Sequence, residues 1–120
     1  MAAPNILDLT TITGKVAGHV ITTSATAIVS NAAASGKLIK INSLIIANVD
    51  GTNSADITVD VYKGASTAYR IAKTITVPAD SSIVIISKDN SIYLEENDSL
   101  RLTASANSDL EGVCSYEELS

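Results

Sequence analysis

Few residues of this chain are of types that carry out chemistry, and they are scattered. A catalytic triad or a zinc site needs several groups around an imidazole, but His19 is the single histidine and has no such neighbours in sequence. We interpret it as a polar surface residue. The single cysteine, Cys114, lies in Gly112-Val-Cys-Ser-Tyr116. Strand alternation there predicts a small buried hydrophobe rather than a nucleophile.

The acidic residues form no constellation typical of a metal site or an acid–base pair. Asp50-Gly-Thr-Asn-Ser-Ala-Asp56 offers oxygen ligands, but its Gly comes second and no Glu follows at the bidentate position of a calcium loop. Asp50-Gly51 favours a hairpin turn, and a weak cation site is the alternative. Glu95-Glu96 and Glu117-Glu118 are adjacent, so each pair points to opposite faces of a strand. We predict no enzyme, catalytic residue, cofactor or metal.

The elements that hold these residues are predicted to be strands. The chain is rich in Ile, Val and Thr and lacks Phe and Trp, which favours strands with a branched aliphatic core. Turn formers such as Lys63-Gly64, Pro78-Ala-Asp80 and Asn97-Asp98 separate short alternating segments. The predicted fold is an all-β antiparallel β-sandwich of the jelly-roll kind. Its strands are Leu38–Asn42, Leu44–Val49, Asp56–Lys63, Tyr69–Val77, Ile83–Ser87, Ile92–Leu94, Leu100–Ala104 and Leu110–Tyr116.

Two regions follow from a change in composition near Gly36. Residues 1–36 are dominated by small side chains, which bury little area, so we predict an extended N-terminal arm with one or two edge strands, at His19–Thr23 and Ala27–Ser30. Residues 37–120 form the β-sandwich domain. The run from Lys37 to Asn48 is too apolar to alternate, which indicates either one long strand covered on both faces or two strands with a bulge.

Charge and hydropathy exclude several partners. The net charge is −5, and a chain without a basic patch is a poor nucleic-acid binder, so no DNA or RNA partner is expected. No apolar run reaches the roughly 18 residues of a membrane helix, and the N-terminus lacks a secretory pattern. We therefore expect no membrane partner and folding in a cytosol. The acids concentrate in residues 95–120 and the early lysines before residue 41, which would suit contact between copies. Ordinary solvated faces are the alternative, and this observation on its own favours them.

Four stretches resemble small virion structural proteins of tailed bacteriophages, over residues 37–118. They are Lys40-Ile-Asn-Ser-Leu-Ile-Ile-Ala-Asn-Val-Asp-Gly-Thr-Asn53, Asp56-Ile-Thr-Val-Asp-Val-Tyr62, Ile75-Thr-Val-Pro-Ala-Asp80 and Ile92-Tyr-Leu-Glu-Glu-Asn-Asp-Ser-Leu-Arg-Leu102. The resemblance implies a non-enzymatic assembly role, in a virion put together in the host cytoplasm, and assigns no catalytic site.

The first hypothesis is a capsid decoration, or cement, protein that bridges major capsid subunits and forms homo-oligomers. Its arm would pair with strand edges of a neighbour, with Leu7, Leu9 and Ile12 as anchors. Tyr62 and Tyr69 would be further partner contacts. A neck, collar or tail protein that contacts other virion proteins is one alternative. A glycan-binding module of a fibre, with surface tyrosines around a shallow pocket, is another.

Overall fold

The computed structural model describes residues 6–120, and every long element in this range is a strand. The strands are β1 (Ile12–Val20), β2 (Thr26–Ser30), β3 (Leu38–Asn48), β4 (Ala55–Lys63), β5 (Thr67–Val77), β6 (Ser82–Ile86), β7 (Ile92–Leu94), β8 (Ser99–Ala104) and β9 (Leu110–Leu119). Two single-turn 3₁₀ helices lie at Ile6–Asp8 and Lys88–Asn90. No helix within residues 6–120 is long and apolar enough to cross a membrane.

The strands form two antiparallel sheets that pack face to face. Sheet A has the order β1-β9-β3-β6, with β7 also paired to β3, and sheet B has the order β2-β8-β4-β5. Strands β1 to β4 thus alternate between sheet A and sheet B. The late strands β9 and β8 each lie between two earlier strands of their sheet, which is the jelly-roll arrangement. The predicted β-sandwich is confirmed.

The core consists of aliphatic side chains from the inner faces of both sheets. In β4, Ala55, Ile57 and Val59 are buried at alternate positions, as expected for a strand with one face on a core. Ile41, Leu44 and Ile46 of β3 and Leu100 and Leu102 of β8 are fully buried and belong to the same cluster. Branched side chains therefore fill the interior without Phe or Trp.

The apolar run at the start of the sandwich domain is one strand that contains a bulge. β3 extends from Leu38 to Asn48 and pairs with β9 throughout, with a register shift between Ile41 and Ser43. It combines features of the two alternatives drawn from the sequence. Its central position in sheet A explains why it is apolar on both sides of the bulge.

Two strands precede Gly36, and each lies at one edge of a sheet. β1 pairs with β9 from Ile12 to Val20, and β2 pairs with β8. β1 begins seven residues earlier than the predicted His19–Thr23 strand. The extent of β1 is set by its pairing with residues of β9 and not by the local composition from which the strand was predicted. The division into an arm of residues 1–36 and a domain of residues 37–120 stays a prediction, and residues 1–5 lie outside the described residues.

The turns use the residues expected from the sequence. Gly64 (φ 60°), Asp80 (φ 58°) and Asn97 (φ 69°) have left-handed backbone conformations, which Gly, Asn and Asp tolerate better than other residues. Each follows or precedes a strand whose direction it reverses. These turns explain the short spacing between strands after residue 50.

Candidate assembly surface

The scattered chemical residues stay apart in the folded chain. His19 is half-buried on β1, opposite Gly112, and its Nε2 atom is buried without a hydrogen bond to any described residue. Among residues 6–120 no group of three or more His, Cys, Asp or Glu side chains could hold a metal ion. Cys114 is fully buried in the core, and burial raises the pKa of its thiol to about 12. The thiolate needed for nucleophilic or disulfide chemistry is therefore suppressed.

The Asp50 loop is organised as a turn. The Asp50 carboxylate accepts hydrogen bonds from the backbone N–H groups of Thr52 (2.8 Å) and Asn53 (3.2 Å), and these bonds lower the pKa of Asp50. The Asp50 N–H in turn donates to Oδ1 of Asn48 at 2.9 Å. The carboxylate therefore stabilises its own loop, as an Asx turn does.

Each member of the two adjacent acid pairs has a separate structural partner. Glu95 binds the Lys63 ammonium at 2.8 Å, and Glu96 accepts the Gly36 N–H at 2.8 Å. Glu117 accepts a hydrogen bond from Asn42 at 3.2 Å. Glu118 binds both Lys15 and Lys37 at 3.2 Å. The carboxylates of each pair thus face different groups. Strand geometry explains this for Glu117 and Glu118 on β9, whereas Glu95 and Glu96 follow β7 in a turn, so the strand predicted for that pair is wrong.

The two tyrosines named as partner contacts lie on opposite faces of sheet B. Tyr69 pairs with Val61 and Tyr62 pairs with Ala68, so the two aromatic side chains of these neighbouring strands alternate in direction. Tyr69 is exposed, whereas Tyr62 is partly covered by Arg101, whose guanidinium carbon lies 3.9 Å from the ring centroid. The two rings do not form one platform, and their role as contacts stays a prediction.

The outer face of sheet B is polar and internally paired. Asp60 is only 3% exposed although it points away from the core. Its Oδ1 accepts a hydrogen bond from Nε of Arg101 at 2.9 Å, and its Oδ2 accepts a longer one from Nη2 at 3.4 Å. A buried carboxylate needs such a partner. This face resembles an ordinary solvated surface of a sandwich.

The outer face of sheet A is different, because β1 points its apolar residues outward. Ile12, Val16 and Val20 are 62%, 70% and 50% exposed, whereas Ala17 packs against the core and Lys15 reaches back to Glu118. The usual alternation of a sandwich strand would bury the valines and expose the lysine. In β1 the valines point outward instead, while Lys15 lies on the same side as Ala17 and stays 44% exposed beside Glu118.

These valines continue into an apolar surface across four strands, which we call the outer apolar band. Register places Val113 of β9 opposite Ile45 of β3, and Ile45 opposite Val84 of β6. Gly18 of β1 is opposite Val113, with Val16 and Val20 on either side of it along the strand. All five band side chains are exposed: Val16, Val20, Ile45, Val84 and Val113.

Ion pairs hold β1 in place. Nζ of Lys15 on β1 and Nζ of Lys37, just before β3, both bind Glu118 of β9 at 3.2 Å. Burial alone would raise the pKa of the Glu118 carboxyl. The hydrogen bonds from the two lysines lower this pKa by more than burial raises it, so the pKa lies below its usual value. The carboxylate therefore stays ionised and connects the first, last and third strands of sheet A.

Of the residues predicted as arm anchors, Ile12 is the first residue of β1 and Leu7 and Leu9 precede the strand, but the band itself is not apparent from the sequence. Leu7 is exposed, Leu9 is half-buried and Ile12 is exposed; their contact role stays a prediction. The band joins residues from four separate strands. The one local signal is Ile12-Thr-Gly-Lys-Val-Ala-Gly-His-Val20, whose regular alternation marks a strand without indicating which face is buried.

Comparison with known proteins finds a similar fold in a solved structure. No protein-family model matches the chain, and no curated protein matches it at a significant level. A chain from a solved structure of Bacillus endospore appendages, described as a novel family of disulfide-linked pili, aligns with 100% of this chain and 96% of its own length. The TM-score is 0.56 and the sequence identity is 16%. None of these comparisons supports a relation to phage virion proteins, and at this identity the similarity shows a shared fold.

Proposed function

We propose that this chain is a non-enzymatic structural subunit that assembles in many copies through the outer face of sheet A. The outward orientation of the apolar residues of β1 carries this proposal. A sandwich strand that exposes Ile12, Val16 and Val20 leaves apolar area in water that a different orientation would bury. Exposed apolar patches of this kind mark interaction surfaces in soluble proteins.

The contrast between the two outer faces supports the same proposal. On the outer face of sheet B, Asp60 is paired with Arg101. Sheet A instead presents the outer apolar band, with serines and glycines beside it. Ser43 and Ser115 are opposite one another, next to Val16. Small and β-branched side chains make a smooth surface, which another protein surface can approach closely.

The solved appendage structure supports assembly into a fibre as the form of this function. Its printed description concerns disulfide-linked pili, and that linkage does not transfer to this chain. Cys114 is the single cysteine and is fully buried. We therefore propose non-covalent contacts between copies.

The sequence resemblance over residues 37–118 leads to a more specific proposal, which is capsid decoration. This proposal includes a virion location and a major capsid protein as the partner. Neck or tail attachment is its alternative. Quantitative mass spectrometry of purified phage particles, normalised to the major capsid protein, tests both. Many copies per particle support decoration, few copies support the neck or tail, and absence from the particle rejects a virion role.

Assembly itself is tested with the purified full-length chain. We expect sedimentation velocity and negative-stain electron microscopy to show multi-copy particles or fibres that increase with concentration. Val113→Lys should reduce assembly by placing a charge in the outer apolar band. Thr52→Lys makes the same charge change on an exposed loop and is the matched control. Assembly of Val113→Lys to the same extent as that of Thr52→Lys would reject the band as the contact surface.

A further inference from the structure

The sandwich has four lateral edges, and three of them are protected against pairing with another strand. β2 has five residues and a register shift. β6 and β7 are short and separated by a 3₁₀ helix. β5 is long, but it has two register shifts, a left-handed residue at Thr74 (φ 49°), and exposed Arg70 and Lys73. Short length, bulges and charges are the devices that prevent edge-to-edge association.

β1 has none of these protections. It pairs with β9 over nine residues without a register shift, and it contains no proline and no acidic residue. Its one cationic side chain, Lys15, bends back to Glu118 on β9. The outward edge of β1 is thus a long, regular row of backbone donors and acceptors, which is the arrangement that accepts an added strand.

We propose that the β1 edge pairs antiparallel with β1 of a second copy, with Val16 at the two-fold axis. In this register Val16 faces Val16 of the other copy, and Ile12 faces its Val20. These are the three exposed apolar side chains of the strand. β-Branched side chains directly opposite one another on a sheet face stabilise strand pairing.

The same register suits the other residues of the strand. Gly14 faces Gly18 and Lys15 faces Ala17, so no like charges are directly opposite. A pairing centred one residue earlier would put the two Lys15 side chains opposite each other, which is unfavourable. Centring on Val16 also gives the full nine-residue overlap, because Val16 is the middle residue of β1.

Charge does not oppose a second copy at this edge. Each copy carries a net charge of −5, so copies repel one another wherever acids meet. β1 carries no acidic residue, and Glu111, Glu117 and Glu118 lie on β9, the next strand in. A β1–β1 contact therefore places no carboxylates of the two paired strands opposite one another.

This inference rests on the proposed function and names one of its contacts. A two-fold contact closes on itself, so it yields a dimer, and larger assembly would use the outer apolar band. The two ideas can fail separately. Dimers without larger assemblies would reject only the band as a polymer contact. Assemblies that lack the β1 cross-link would reject only the β1 pairing.

Cysteine cross-linking of the full chain tests the register. Opposed Cα atoms on antiparallel strands lie about 4.5–5.5 Å apart, within the range of a disulfide. Val16→Cys alone should therefore form a disulfide-linked dimer under mild oxidation. Val20→Cys alone should not, because residue 20 and its symmetry mate would lie about 26 Å apart along the strands. Mixing Ile12→Cys and Val20→Cys chains should restore the cross-link.

Thr52→Cys is the control for random collision, since Thr52 is exposed on a loop outside both β1 and the outer apolar band. The buried native Cys114 does not compete. Cross-linking of Val16→Cys no faster than that of Thr52→Cys, or efficient cross-linking of Val20→Cys alone, would overturn the proposal.

A charge variant gives an independent test that does not need oxidation. Val16→Lys places two ammonium groups at the two-fold axis and should convert the dimer into a monomer in sedimentation equilibrium. Thr52→Lys, which makes the same charge change outside both surfaces, should remain dimeric. Thermal unfolding of both variants confirms that each is folded. A wild-type chain that stays monomeric at high concentration, or a Val16→Lys chain that stays dimeric, contradicts the inferred contact.

Discussion

At the scale of single residues, Gly112 shows how closely the two sheets pack. A Cβ atom at this position would lie 2.9 Å from Cδ1 of Leu102, 3.4 Å from Ile46 and 3.5 Å from Ile28. Leu102 and Ile46 are fully buried, so they have little room to move. The glycine is required here by close approach of the sheets rather than by a special backbone angle.

We expect Gly112→Ala to lower the free energy of unfolding by about 1–3 kcal/mol, the usual cost of overpacking a core. Gly14→Ala is the matched control, because nothing lies within 4 Å of the Cβ that it would add. Urea unfolding at low protein concentration measures both. Equal stabilities of the two variants would mean that the sheets separate easily at Gly112.

Cys114 gives a second prediction at the residue scale. Because its thiol is buried and burial raises its pKa to about 12, the native protein should resist a thiol reagent and react only when unfolded. The Val16→Cys variant, with an exposed second thiol, is the positive control. Reducing agents should leave assembly of the wild-type chain unchanged. Dissociation by a reductant would instead show that copies are joined through Cys114.

At the scale of elements, the attachment of β1 depends on Glu118. Its pKa is lower in the folded chain than in the unfolded chain, where a glutamate has a pKa of about 4.3. The Glu118 carboxyl therefore binds its proton more tightly in the unfolded state than in the folded state. The stabilisation is present above pH 4.3 and disappears as the pH falls through the folded pKa.

Glu118→Gln should therefore lower stability by about 0.5–1 kcal/mol at pH 7, the scale of exposed ion pairs, and by much less near pH 3. Hydrogen exchange of β1 amides should accelerate in the same variant. Glu111→Gln, which removes another carboxylate of β9, should change neither quantity as much. A stability difference that is independent of pH would show that packing, rather than the two lysines, accounts for the effect of residue 118.

At the scale of the whole molecule, net charge opposes assembly while the outer apolar band and the β1 edge favour it. Every copy carries −5, and repulsion between copies weakens as salt shortens the Debye length from about 30 Å at 0.01 M to about 8 Å at 0.15 M. Contacts through apolar side chains and backbone hydrogen bonds do not lose strength in this range.

Assembly should therefore strengthen when sodium chloride rises from about 0.01 M to about 0.15 M, as measured by the weight-average sedimentation coefficient. Val113→Lys, which lowers the net negative charge but disrupts the band, separates the two effects. It should remain less assembled than the wild type at both salt concentrations. Weaker assembly at higher salt would indicate that ion pairs between copies dominate.

The sequence by itself determined the fold class. Strand alternation, as in Ala55–Lys63, and turn residues such as Gly64 and Asn97 are local properties, because side-chain direction and backbone conformation depend on adjacent residues. The alternatives for residues 37–48 were one long strand or two strands with a bulge, and β3 combines a feature of each, because it is one strand with a register shift between Ile41 and Ser43. The sandwich was therefore predictable without knowledge of which strands pair.

Only the tertiary structure decided which face of each strand is buried. β1 alternates regularly, but pairing with β9 places Ala17 over the core and leaves Val16 in water, because a shift of one residue in register exchanges the two faces of a strand. The outer apolar band likewise joins Val113, Ile45 and Val84 from three strands. Such a surface depends on contacts between residues far apart in the chain, which local patterns do not encode.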